Sequence, residues 1–177
     1  IQADALEFLA DVNPGEFDLI HASPPCQGYS RMRHLPWLKG REWPLLIEPL
    51  RELLVACGCP YVIENVTGAP LLDPVELCGT MFGLPLFRHR LFETSEFLLS
   101  PAHTPHQFTV SPGPHFGHRG RQVSNKLSGW YNKRDASGFR AAMGVEWMTR
   151  DEACQAIPPA YTEWLGRQLL DQIRSHT

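Results

Sequence analysis

No apolar run in this 177-residue chain approaches the ~20 residues needed to cross a bilayer, which excludes a conventional membrane-spanning helix. The five cysteines are odd in number and follow no regular framework, which excludes a small disulfide scaffold and fits a reducing compartment. Cys57, Cys59, Cys78 and Cys154 read as small buried apolar groups. No signal-peptide pattern opens at Ile1, and the expected location is the cytoplasm. The composition, 43% hydrophobic and 20% charged, has none of the bias of a disordered chain, and the length suffices for one sizeable core.

Acid is missing unevenly. The net charge is -3 and the isoelectric point about 6.2, an unpromising average for a polyanion binder. Yet no Asp or Glu occurs from Leu19 to Arg41, where Arg31, Arg33, Lys39 and Arg41 fall. None occurs from Phe97 to Arg134 either, where Arg119, Arg121, Lys126, Lys133 and Arg134 fall. Phosphate contacts depend on cations gathered on one surface, so segregation matters more than the sum. The competing reading is two solvated loops.

What is present begins with a short helix through Ala5, Leu6, Phe8 and Leu9, closed by the turn Asn13-Pro14-Gly15. Phe17 to Ala22 reads as a strand, and the Gly- and Pro-rich stretch from Pro24 to Gly40 as a loop. Pro44 suits the first turn of a helix through Leu45, Leu50, Leu53 and Leu54, which Gly58 ends. Pro60 to Ile63 is a second strand, so Phe17 to Val66 is expected to form a parallel, right-handed crossover unit. Val75 to Met81 is expected to be a short helix, and Leu91 to Thr94 a strand. Residues 100–137 are rich in Pro, Gly and His and are read as an irregular recognition insert. Thr149 with Glu152 fits a capping box, and a last helix from about Tyr161 buries Trp164, Leu165, Gln168, Leu169 and Ile173. The expected organisation is a catalytic α/β part over 1–95, the insert over 96–137, and a return to the first part over 138–177.

The chemistry concentrates in two segments. Ser23-Pro24-Pro25-Cys26-Gln27 follows the first strand, and Val62-Ile63-Glu64-Asn65-Val66 closes the second. Open α/β sheets bind ligands at the carboxyl ends of their strands, so a thiol and a carboxyl placed there can face one pocket as nucleophile and acid. Cys26 in a polar loop beside Gln27, Gly28 and Ser30 is a poor core position. Glu64 taken alone reads as a cap or an ion-pair partner, and its functional reading depends on Cys26. Arg88 and Arg90 have the alternative of pairing with Glu93 or Glu96.

These blocks, in this order, resemble the cytosine-5 DNA methyltransferases, particularly the small versions carried by bacteriophages. Asp18 to Ser30 resembles the family's nucleophile loop, Glu64-Asn65-Val66 its carboxylate triplet, and Arg88-His89-Arg90 its paired-arginine block. Ala156-Ile157-Pro158-Pro159, with Tyr161 and Gly166, is similar to the block closing its cofactor domain, and Ala3-Asp4-Ala5 to its adenine-side block. The resemblance implies a Rossmann-like fold, S-adenosylmethionine as methyl donor, double-stranded DNA as partner, and the cytoplasm of a bacterial or phage-infected cell. It makes Cys26 the nucleophile at C6 of a flipped cytosine and Glu64 the acid at N3, which asks Glu64 to hold a proton in a closed site. Arg90 supplies charge and alignment, with Arg88 beside it. Asp4, Ala5, Pro24, Gln155 and Ala156 are implied at the cofactor, and Gln27, Ser30, Arg31, Arg33, Asn65, Arg119 and Arg121 at DNA.

The sequence departs from the family pattern at three points. Phe87 stands where members often carry glutamine, and Gln155 where they commonly carry asparagine. No strand with a Gly-rich turn precedes Asp18 to hold the donor's methionine end. The expectation is therefore a fragment, a segment supplied in trans, or a chain without cofactor binding. Two other classes stay open: the same chemistry on transfer RNA, and a non-catalytic nucleic-acid-binding remnant. A Cys-His hydrolase is disfavoured because no histidine near Cys26 has an orienting third group. No metal is expected: His103-x-x-His106 and His115-x-x-His118 lie in an insert without cysteine, which structural zinc favours.

Overall fold

The computed structural model describes residues 2–38, 40–103 and 136–176. These form a mixed α/β structure of five helices and a four-stranded mixed sheet, built as two compact units. The first unit comprises 1–76, 89–100 and 168–177, and the second 77–88 and 101–167. The boundaries expected near 95 and 138 thus cut across the observed units.

In the first unit, helix α1 (Ala5–Ala10) starts at Asp4, whose Oδ1 accepts from the amides of Leu6 at 2.9 Å and Glu7 at 3.2 Å. This satisfies two of the donors that a helix start leaves without partners. Strand β1 (Ile20–Ala22) leads through the Cys26 loop to helix α2 (Ile47–Cys57) and strand β2 (Tyr61–Asn65). The helix begins three residues later than Pro44 suggested, because Pro49 already occupies its first turn, where a missing amide costs nothing. It ends as expected at Gly58, whose φ of 67° is the left-handed conformation glycine adopts without strain.

Strands β1 and β2 are parallel, with Ile20 opposite Tyr61 and Ala22 opposite Ile63, as the strand-helix-strand pattern requires. Strand β4 (Arg90–Thr94) lies antiparallel on the other side of β2, and β3 (Val75–Leu77) completes the order β1-β2-β4-β3. The helix expected over Val75–Met81 is corrected: Val75–Leu77 joins the sheet and only Gly79–Phe82 coils, as a 3-10 turn. Short segments of this kind take the conformation their tertiary pairing offers rather than their local propensity.

Alternation along the strands sorts the side chains. Ala22 and Ile63 face one way and join Leu9, Val12, Leu50, Leu54, Cys57 and Cys59 in a core beneath α1 and α2. Leu54 and Ile63 are fully buried, each stabilising by about 1.5–3 kcal/mol over exposure. Glu93, on the same face, is buried and held by Arg51 of α2 through Nε at 2.6 Å and Nη2 at 2.8 Å, with the Leu72 amide at 2.8 Å. This bond keeps the proton on Arg51 more tightly than usual. His21, Glu64, Phe92 and Arg90 take the opposite parity.

In the second unit, α3 (Ala136–Met143) and α4 (Arg150–Gln155) share a core of Leu86, Phe139, Met143, Val145 and Ala153. The capping box is present: the Thr149 amide donates to Glu152 at 2.7 Å, and the Glu152 amide to Thr149 Oγ1 at 3.3 Å. Hydrogen bonds from Thr149 hold the exposed Glu152 carboxyl below its ordinary range. Helix α5 (Pro159–His176) contributes residues to both units and buries Tyr161, Leu165 and Leu169; of the expected stripe, Trp164, Gln168 and Ile173 are only half-buried. At Gly79 a Cβ would overlap the Leu86 carbonyl oxygen and lie 2.9 Å from Leu86 Cγ. Backbone, not a flexible side chain, is in the way, so Gly79→Ala is expected to cost about 1–3 kcal/mol in urea unfolding. A stability equal to that of the parent would contradict this packing.

None of the described helices is long and apolar enough to cross a membrane.

Candidate active site

Ser23 precedes Pro24 and Pro25, and a residue before proline is confined to extended conformations. The chain leaves β1 at Ala22, opposite Ile63, and the next side chains on the two strands, Ser23 and Glu64, meet. The Ser23 hydroxyl donates to Glu64 Oε2. From β4, Arg90 Nε approaches Glu64 Oε1 at 3.0 Å. Glu64 is only 6% exposed, so both of its oxygens are engaged in a largely dry setting. The ion pair is with Glu64, and not with Glu93 or Glu96. Arg90 also donates from Nη1 to the His89 carbonyl at 2.8 Å, which fixes its fork.

Asn65, the next residue, is buried and points to the opposite side of β2. Its Nδ2 donates to the Pro24 carbonyl at 3.0 Å, and its Oδ1 accepts from the Val66 amide at 2.9 Å. Through these bonds Asn65 grips the loop that carries Cys26. Cys26 follows Pro24 by two residues, at most about 7 Å of chain. It is half-buried and unbridged. The amides of Tyr29 at 3.0 Å and Ser30 at 2.9 Å donate to the Cys26 carbonyl, turning the loop back immediately after the thiol. Tyr29 in turn accepts from the Ile47 amide at 3.0 Å, tying this turn to the start of α2.

The remaining expected residues are distributed as follows. Gln27 is exposed and Ser30 half-buried in the same turn. Arg33 spends Nη1 on the Gly28 carbonyl and sends Nε to His34 at 3.1 Å, so it braces the loop while staying exposed. The Arg31 side chain, and Arg119 and Arg121 in the insert, lie outside the described residues, as does Lys39. Arg88 belongs to the second unit, where its Nη2 donates to the carbonyls of Cys154 at 2.8 Å and Ala156 at 2.7 Å. A cation on the last carbonyls of α4 is a helix C-cap, which explains its burial without chemistry.

His21, two residues before Ser23, keeps an exposed edge, yet enough protein surrounds the ring for lost hydration to disfavour its imidazolium. The charge of Glu64 opposes this, and the net result is a pKa below the ordinary value of about 6.5. The folded chain binds this proton less readily than the unfolded one. The contribution is therefore in place above about pH 6.5 and is lost as pH falls below it. Glu64→Gln removes the opposing charge and is expected to lower the His21 midpoint further in an NMR titration of its ring proton. An unchanged midpoint would contradict the proximity.

Donor-holding residues are split between the units. In the first, Asp4 uses Oδ1 as the α1 cap and leaves Oδ2 without a protein partner among the described residues, free to accept from an exocyclic amine. Ala5 opens the same helix, and the Pro24 carbonyl is taken by Asn65. In the second, Gln155 and Ala156 line an open depression of about 590 Å³ with Trp147, Met148 and Glu152. Among the described residues before β1, none forms the strand and Gly-rich turn that would present amides to an amino-acid carboxylate. The donor set fits S-adenosylmethionine only in part, and no step below is routed through it.

Ser23 is the residue that sequence reasoning left without a role. The signal available was its position, immediately after β1 and before two prolines. Comparison of the chain with protein-family models, curated proteins and solved structures returned no match.

Proposed function

We propose that this protein is a DNA cytosine-5 methyltransferase with a Rossmann-like catalytic core, transferring a methyl group from S-adenosylmethionine to C5 of an extruded cytosine. The observation that carries the reading is the joint between the two motifs. Glu64 is held by Ser23 and Arg90 at the end of β2, while its neighbour Asn65 grips the loop two residues before Cys26. Tethering a soft nucleophile to a restrained carboxyl suits addition to a conjugated ring, where sulfur and a proton must arrive at different atoms of one base.

Cytosine C5 is a weak nucleophile until C6 is attacked. The Cys26 thiolate forms the S–C6 bond, electron density moves through the ring, and N3 takes a proton from Glu64, leaving an enamine nucleophilic at C5. In the absence of donor, C5 takes a proton from water. The original C5 hydrogen leaves as a proton to the hydroxide left by that water; the S–C6 bond then breaks with its electron pair returning to Cys26 as the N3 proton returns to Glu64, which regenerates cytosine and both groups. Arg90 aligns Glu64 and lends positive charge to the site. The target base leaves the stack at a cost of a few kcal/mol, and the acid-free loop from Gln27 to Arg41 has the charge to face phosphates.

The reading is tested by solvent exchange at C5, which needs only these residues. Duplex DNA tritiated at cytosine C5 is expected to release tritium to water when incubated with the protein alone, and transfer RNA to release less. No release from DNA would overturn the reading, and release from RNA alone would move the substrate class.

A further inference from the structure

Resting on that reading, we infer that Ser23 is the positioning residue for the mobile proton of Glu64, and that Oε2 is the oxygen carrying it. The two partners of Glu64 differ in kind. Arg90 only donates, so the oxygen it contacts, Oε1, is a poor seat for a proton. The Ser23 hydroxyl on Oε2 both donates and accepts. When Glu64 is a carboxylate, Ser23 donates to Oε2. When Glu64 is a carboxylic acid awaiting the base, the hydroxyl rotates and accepts the Oε2 proton, which turns from Ser23 to N3 once the base is in place. A carboxyl that gives a proton to N3 and recovers it each cycle passes through both states. Ser23 holds it in one orientation in each, and alanine holds it in neither. The residue before a proline is confined to extended backbone, so the hydroxyl changes role by rotation about its own bond.

Ser23 touches the acid and not the base, and its substitution is expected to act on turnover rather than on DNA binding. Ser23→Ala is expected to slow C5 exchange roughly 10- to 100-fold with KM for DNA within about twofold, because a misplaced acid loses rate without losing contacts. Ser23→Thr, which keeps the hydroxyl and tolerates the extended backbone, is expected to restore the rate to within about threefold. Exchange by Ser23→Ala at the parental rate, or a threonine variant as slow as alanine, would overturn the role. A second measurement does not depend on the proposed reaction. In protein labelled with ¹³C at glutamate carboxyls, the resonance lost in Glu64→Gln is expected to shift in Ser23→Ala and return in Ser23→Thr. If the parent shows no exchange, the functional reading fails and this resonance alone decides the contact; an identical resonance in Ser23→Ala would overturn the inference whatever the exchange assay gives.

Discussion

Cys26→Ser is expected to lower C5 exchange on DNA on the order of 10³-fold or more while leaving DNA affinity and the folded state unchanged. The side chain keeps its shape, and its half-buried loop position makes no packing demand that a hydroxyl fails to meet. What changes is nucleophilicity: a few per cent of a free thiol is thiolate at neutral pH, whereas a serine hydroxyl needs an adjacent base. Ser23 and Arg90 are committed to Glu64, and none of the described contacts places a base on the residue at 26. The same variant is expected to form no covalent adduct with 5-fluorocytosine DNA under conditions in which the parent does. Adduct formation by the serine variant would remove Cys26 from the mechanism.

Arg51→Met is expected to give the largest stability loss, about 3–5 kcal/mol in urea unfolding, against a total stability of about 5–15 kcal/mol for an ordinary domain. Glu93 is 2% exposed and takes two bonds from Arg51, with the Tyr61 hydroxyl at 3.4 Å as a weak third side-chain partner. Burial, and then the Glu93 charge, push Tyr61 above its ordinary pKa, so the phenol does not replace the lost cation. Methionine retains the apolar stem, so the loss comes from the uncompensated charge and the lost bond from Arg51 Nη2 to the Pro70 carbonyl at 2.7 Å. Combining it with Glu93→Leu is expected to recover most of the stability, because removing both partners of a buried pair is far cheaper than removing one. A double variant as unstable as Arg51→Met would contradict this assignment of the loss. Stability of the single variant near that of the parent would show that Glu93 is not buried in solution.

Periodicity made the fold's main unit readable: β1, α2, Gly58 and β2 follow from apolar spacing and one helix-ending glycine, and the parallel pairing from their order. Val75–Leu77 was not readable, because three residues carry no period and only the neighbouring β4 makes them a strand. At the site, Cys26 and Glu64 stand out by residue type and by resemblance. The resemblance favours Arg90 over Arg88, but that Arg90 pairs with Glu64 rather than Glu93 or Glu96 depends on the strand ladder, a long-range property. The resemblance places Asn65 at DNA; its bond to the Pro24 carbonyl comes from the alternation of β2, which the sequence alone does not show. Asp4 has a helix-capping role that its sequence neighbours already permitted.

The most direct measurement is a crystal structure of the protein on duplex DNA carrying a 5-fluorocytosine at the target position. The account predicts an extruded base with Cys26 Sγ bonded to C6 and Glu64 Oε2 within hydrogen-bond distance of N3, Ser23 still on the same carboxyl. A base bonded elsewhere, or a Glu64 carboxyl turned away from the ring with Cys26 unreacted, would contradict it.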